Sequence, residues 1–176
     1  MHLRSLDGCR LAIGKYPHFH YDARNGGGRG KLVENIKDHV LRLSFEPKTF
    51  SIPSLTSKNT KFLAFPLPPG LKIEMCMDSL EGTINKKSGE VILNFESRFI
   101  FTIGSFLRFP NLFVKTTLHT GKIKTSLHKE DGISLQKNGR AKLVGVAMIP
   151  ITGNKVLDLF LGLPNEALAV LQCEIK

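Results

Sequence analysis

The chain has no tryptophan, two tyrosines and three cysteines in 176 residues. Cys9, Cys76 and Cys173 are odd in number, widely spaced and form no C-x-x-C pair. That argues against a zinc ribbon or a disulfide framework and for free thiols in a reducing compartment. Long apolar runs are missing as well. The longest, FIFTIGSFLRFPNLFV, is broken by Arg108 and Pro110, short of the ~20 residues a membrane-spanning helix needs. The opening MHLRSLDGCRLAIG carries Asp7 where a secretory signal would be apolar. The expectation is a cytoplasmic protein, at most peripheral at a membrane. Catalytic signatures are absent too: there is no G-x-S-x-G elbow and no H-E-x-x-H pair. No cofactor is expected, and the balance leans against an enzyme.

What is present is period-2 alternation. Leu41, Leu43 and Phe45 alternate with polar neighbours, as do Leu71, Ile73, Met75 and Met77, and Val91, Leu93 and Phe95. Phe99, Phe101 and Ile103 carry that last parity onward. Successive strand side chains point to opposite faces, so each run reads as a strand with one buried face. No helical period of useful length competes. One short helix is expected at about 154–161: Asn154 caps it, Leu157, Phe160 and Leu161 form its stripe, and Gly162 with Pro164 ends it. ALAVLQCEI follows as a last strand apolar enough to lie inside a sheet. FPLPPG, 65–70, reads as an extended connector, because proline donates no ladder hydrogen bond. The sequence therefore predicts one all-β, mainly antiparallel domain over 1–176. It is a β-sandwich or a partly closed barrel, two forms that share the same alternation.

Three hairpins are expected. Residues 85–89 should turn Ile84 back onto Val91. Lys137-Asn138-Gly139 should form a three-residue loop that sets Leu135 against Ala141 and Ile133 against Leu143, with Gly139 as the left-handed residue. A Thr120-Gly121 turn should pair His119 with Lys122 and Leu118 with Ile123.

That last register matters for function. The formal charge is +10, and residues 111–142 hold seven Lys/Arg against two Asp/Glu. On a 115–128 hairpin, Lys115, Lys122, Lys124, His119 and His128 gather on one face, with Lys129 and Arg140 able to extend it. Such a face suits an acidic protein or an anionic membrane surface. Each lysine near an anionic bilayer contributes about 1 kcal/mol, enough to orient a protein rather than to anchor it. Few aromatics interleave with these lysines, so nucleic acid is a poor partner.

HFHYDARNGGGRG, 18–30, is the stretch with most chemical promise. It fails the Walker and dinucleotide patterns, since Asn25 and Leu32 stand where a glycine and a hydroxyl belong. Backbone amides of Gly26, Gly27, Gly28, Arg29 and Gly30 could still cradle an anion. His18, His20 and Asp22 share one strand face, but His18 and Asp22 lie about 13 Å apart along a straight strand. A metal there needs a third ligand from elsewhere, such as His39, His119 or His128. The plain alternative is an amphipathic strand, with Phe19 and Tyr21 buried and the histidines wet.

The interior looks soft and greasy, with twelve phenylalanines and four methionines. Phe95, Phe99, Phe101, Phe106, Phe109 and Phe113 fall in one stretch, and in a barrel they could line a cavity for an apolar molecule.

Three blocks, YPHFHYDARNGGGRG, GRAKLVGVAMIP and FLGLPNEALAVLQCEI, resemble uncharacterised β-rich proteins of cyanobacteria and plastids. The resemblance implies a photosynthetic host and brings no activity or catalytic residue. Three functional expectations follow. The first is a non-catalytic domain that binds through the basic hairpin. The second is a barrel carrying a lipid or other apolar ligand. The third is a metal-dependent enzyme built on His20.

Overall fold

A computed structural model describes residues 1–37 and 39–176. Its strands in chain order are β1 (His2–Ser5), β2 (Cys9–Ile13), β3 (His18–Tyr21), β4 (Gly27–Lys37), β5 (Val40–Phe45), β6 (Thr60–Phe62), β7 (Phe65–Pro66), β8 (Leu71–Asn85), β9 (Val91–Ile103), β10 (Leu107–Arg108), β11 (Leu112–His119), β12 (Lys122–Lys124), β13 (Lys129–Asp131), β14 (Arg140–Ile149) and β15 (Asn165–Ile175). A helix of about two turns, α1 (Lys155–Leu161), joins the last two strands.

Antiparallel ladders run β1–β4–β5–β8–β9–β11–β14–β15. β15 then pairs back onto β1, with Leu3 opposite Ile175 and Ser5 opposite Cys173. The sheet closes on itself, so of the two forms the alternation allowed, the chain adopts the barrel. Towards α1, β15 exchanges β1 for β2, with Ala167 opposite Ile13. β3, β6 and β7 continue outward from β2 as a side sheet. Leu55, just before that side sheet in the chain, bridges to Ile73 of β8.

The core is two stacked layers. Near α1, Ile13, Phe19, Leu55, Ile73, Phe101, Leu112 and Ile149 meet Leu157 and Leu161 of α1, which stoppers that end. At the far end Leu3, Leu43, Phe45, Ile84, Val91, Leu93, Leu143 and Ile175 pack together. Each fully buried side chain of this size stabilises the fold by roughly 1.5–3 kcal/mol. The two core layers are filled by inward-pointing apolar side chains of the ring. Among the described residues no helix is long and apolar enough to span a membrane.

β8 changes face partway along its length. Ile73, Met75 and Met77 point in, and beyond Asp78 the inward positions become Leu80 and Ile84. A bulge at Asp78, between the Met77–Ser97 and Ser79–Glu96 pairs, shifts the parity by one. Arg98 Nε donates to both Asp78 carboxylate oxygens, at 2.9 and 3.1 Å. The 85–89 hairpin forms as expected, with Ile84 opposite Val91. α1 also matches its sequence signals: the Asn154 side chain accepts from the Leu157 amide at 3.0 Å, and Gly162 adopts the left-handed conformation. Such a cap is worth about 1 kcal/mol. FPLPPG contributes only the two-residue outer strand β7, where a proline's missing donor does no harm.

The other two hairpins differ from expectation. The 137–139 loop is there, with Gly139 at φ 84° and the Gln136 amide donating to Arg140 O. Further back the pairing slips by one, so Ile133 faces Lys142 rather than Leu143. The Gly89 carbonyl accepts from the Leu135 amide and draws that segment aside.

The Thr120-Gly121 hairpin does not form. β11 stays in the barrel wall between β9 and β14, while β12 leaves it and pairs with β13, Ile123 opposite Glu130. The reason lies in β14 and β15. Their outward residues Val144, Leu168 and Val170 are apolar, and with Ala12 of β2 they form a third buried cluster whose cover is Ile123. Ile123 buries its side chain there instead of beside Leu118. Glu130 fastens the flap, accepting from both Arg10 of β2 and Lys142 of β14.

Candidate functional site

The redirected flap disperses the expected basic face. Lys115 stays on β11, ion-paired at 2.5 Å with Glu96 of the neighbouring β9, which raises its pKa. Lys122 lies 4.0 Å from Asp131 on β13, and Lys124 is exposed. Neither histidine lies free on the surface. His119 is half-buried and its Nδ1 accepts from the Gly121 amide. His128 is buried, its Nε2 3.4 Å from Glu166 O. The five residues do not form one ribbon.

The glycine-rich stretch is a structural seat. The amides of Gly26, Gly27 and Gly30 donate to Ala23 O, Ser51 O and Met1 O, so they are not free to hold an anion. A Cβ on Gly28 would sit 2.8 Å from the Phe50 ring, and one on Gly30 2.9 Å from the Phe45 ring. The missing side chains let both rings lie against the β4 backbone, edge to face at 5.8 Å. The anion-loop expectation is corrected accordingly.

On β3, Phe19 and Tyr21 are buried, His18 is half-buried and His20 is exposed. Burial lowers the His20 pKa, and Arg10, His18 and Lys61 around it act in the same direction. The Asp22 carboxylate is held by the Arg24 side chain, which lowers its pKa. Cations therefore surround the positions a metal would occupy. Among the described residues no group of three His, Cys, Asp or Glu side chains is placed to hold a metal ion. The buried Cys9 and Cys173 thiols are not activated nucleophiles either: burial pushes Cys9 up to about 11 and Cys173 up to about 12.

The interior is where the sequence signal converges. A cavity of about 110 Å³ lies at mid-barrel, between the two core layers. Ile73, Met75, Phe95, Phe99, Phe101, Leu112 and Ala147 line it from the wall, and Phe50 and Ile52 from the segment that crosses Gly27. Phe95, Phe99 and Phe101 are thus placed as the pocket reading required. Phe109 packs on the core beside the cavity. Phe106 and Phe113 are exposed on the outside, because the chain turns at Gly104 and β11 begins with the opposite parity.

Polar groups at the cavity are few. Ser5 Oγ donates to Ala23 O at 2.7 Å, and Thr116 Oγ1 to Val146 O at 2.9 Å, so both are engaged with the backbone. Tyr21 differs. It lines the cavity, burial pushes its phenol pKa well above the ordinary value, and its hydroxyl is open to accessible space, because no fully buried side-chain nitrogen or oxygen of the described residues lacks a partner. Alternation alone marks Tyr21 only as an inward side chain of β3.

No family model, curated protein or solved structure matches the chain.

Proposed function

We propose that the protein is a non-catalytic β-barrel that carries a small apolar molecule bearing one hydrogen-bonding oxygen. The observation that supports this reading is the apolar cavity at mid-barrel with Tyr21 on its wall. Eight strands enclose an interior that side chains can just fill or that can hold one small ligand, and here they leave it partly unfilled. A void of this size lined by aliphatic and aromatic side chains stays dry and accepts a single-ring hydrocarbon. A longer chain would require Phe50 or Phe95, both half-buried at the margin, to swing aside. The oxygen of the ligand would accept a hydrogen bond from the Tyr21 hydroxyl.

Solvent extraction and native mass spectrometry of freshly purified protein test this, together with thermal shifts in benzene and cyclohexanol. The protein is expected to carry an apolar molecule, or to be stabilised by both probes through binding to the folded state. Ala147→Leu, which fills the cavity from β14, should abolish both effects while the protein still melts cooperatively. Tyr21→Phe should weaken cyclohexanol about fivefold, the value of an ordinary hydrogen bond of ~1 kcal/mol, and leave benzene unchanged. An empty protein that neither probe stabilises contradicts the proposal.

A further inference from the structure

The end of the barrel stoppered by α1 carries most of the exposed apolar side chains. Phe106 is 88% exposed at the β9–β10 turn, Leu159 85% on α1, Phe65 74% after the β6–β7 turn and Tyr16 69% in the β2–β3 turn. The exposed phenylalanines, Phe65, Phe106, Phe113 and Phe160, all belong to this end. They come from separate connections, so no single packing requirement places them together. α1 shows the choice within one helix: Leu157 and Leu161 turn into the barrel, while Val156 and Leu159 turn out. Exposed turns ordinarily carry Gly, Asn, Asp or Ser. Scattered apolar residues need no explanation, but a concentration at one end marks an interaction surface.

Cations sit next to these tips in the chain. Lys15 precedes Tyr16, Arg108 follows Leu107 and Lys155 precedes Val156, and all three are exposed. No carboxylate of the described residues lies within 4.0 Å of them. The acids of this end are engaged elsewhere. Asp158 accepts from Thr152 Oγ1 at 2.6 Å and from the Thr152 and Gly153 amides. Glu74 is paired with Lys72.

We infer that this end docks on an anionic lipid bilayer. Phe65, Phe106, Leu159 and Tyr16 enter the boundary between headgroups and acyl chains, while Lys15, Arg108 and Lys155 stay at the phosphates. Apolar tips with basic side chains at their bases suit both layers of that boundary, since lysine and arginine keep their heads in the polar zone as their stems follow the apolar ones. The complementary charge favours a bilayer over a second copy of this chain, whose equivalent end would bring like cations together. The inference does not depend on the cavity holding a ligand.

Sedimentation with vesicles decides it. The protein should bind phosphatidylcholine vesicles containing phosphatidylserine, and bind pure phosphatidylcholine far less. Reversing Lys15, Arg108 and Lys155 together to glutamate should weaken binding to the anionic vesicles at least about tenfold. Phe106→Ser with Leu159→Ser should weaken it about tenfold as well, with an unchanged melting temperature, because both side chains are exposed. Lys86→Glu with Lys87→Glu, in the β8–β9 turn at the opposite end, should change it little. No binding to anionic vesicles overturns the inference. So does equal loss from the two ends, or a wild-type dimer that the Ser variants turn into monomer while vesicle binding persists.

Discussion

Gly27→Val is expected to remove the cooperative unfolding transition in urea, or to lower stability by about 4 kcal/mol or more. Gly27 has φ 125°, a conformation that a β-branched residue adopts only under strain. A Cβ there would lie 2.0 Å from the Leu3 carbonyl oxygen and 2.8 Å from Arg4 Cα. Those atoms are backbone of β1, the strand through which the barrel closes onto β15. They can retreat only if the closure opens. Gly153→Ala provides the control. It also stands at positive φ, 84°, but has nothing within 4 Å, so it should cost about 1–2 kcal/mol of backbone strain alone. Equal effects at the two positions would mean that conformation, and not the crossing of β1 and β4, limits stability.

Glu130→Ala should destabilise the protein by about 2–3 kcal/mol and release the β12–β13 flap, seen as loss of amide protection at Ile123. The Glu130 side chain is 15% exposed, and Lys142 is 18% exposed. Its removal leaves Arg10 and Lys142 facing each other without the anion between them. Arg10 is about a third exposed, at 32%, so solvent screening places the effect at the lower end of the range for buried pairs. Replacing Arg10, Glu130 and Lys142 together by Met, Leu and Met should restore much of the loss, because an apolar cluster of similar volume has no desolvation cost to offset. If the triple variant is no better than Glu130→Ala, the ions matter for something other than their mutual attraction.

Much of the wall was legible in the sequence, because alternation is local. β5, β8 and β9 follow from parity, β14 from the turn before it, β15 from its continuous apolar run, and α1 from its cap and its glycine. The parity switch in β8 was not legible. Asp78 looks like any outward residue until its partner strand shows that two positions oppose one. Closure was not legible either, since the β1–β15 pairing joins residues at opposite ends of the chain and leaves no mark on composition.

The misplaced hairpin teaches most. Thr120-Gly121 has the look of a turn, and local pairing placed Leu118 beside Ile123. The signal against it was in β14 and β15, whose LVGVAM and ALAVLQ runs are apolar on both faces. A strand buried on both faces needs a second cover, and Ile123 supplies it. Reading those runs as a demand for an outer layer would have moved the lysines off the ribbon. Alternation was enough to turn Phe99 and Phe101 inward, where with Phe95 they line the cavity, whereas Phe106 and Phe113 needed the turn at Gly104 to show them facing out. Their exposure is what points to the docking end.

Diffraction from a crystal held under xenon pressure tests the central claim most directly. A dry apolar void at mid-barrel should show a xenon peak among Met75, Phe99, Phe101 and Ala147 in the wild type, and none in Ala147→Leu. Continuous side-chain density through that space, with no xenon at any pressure, would mean the barrel is solidly packed and has no room for a ligand.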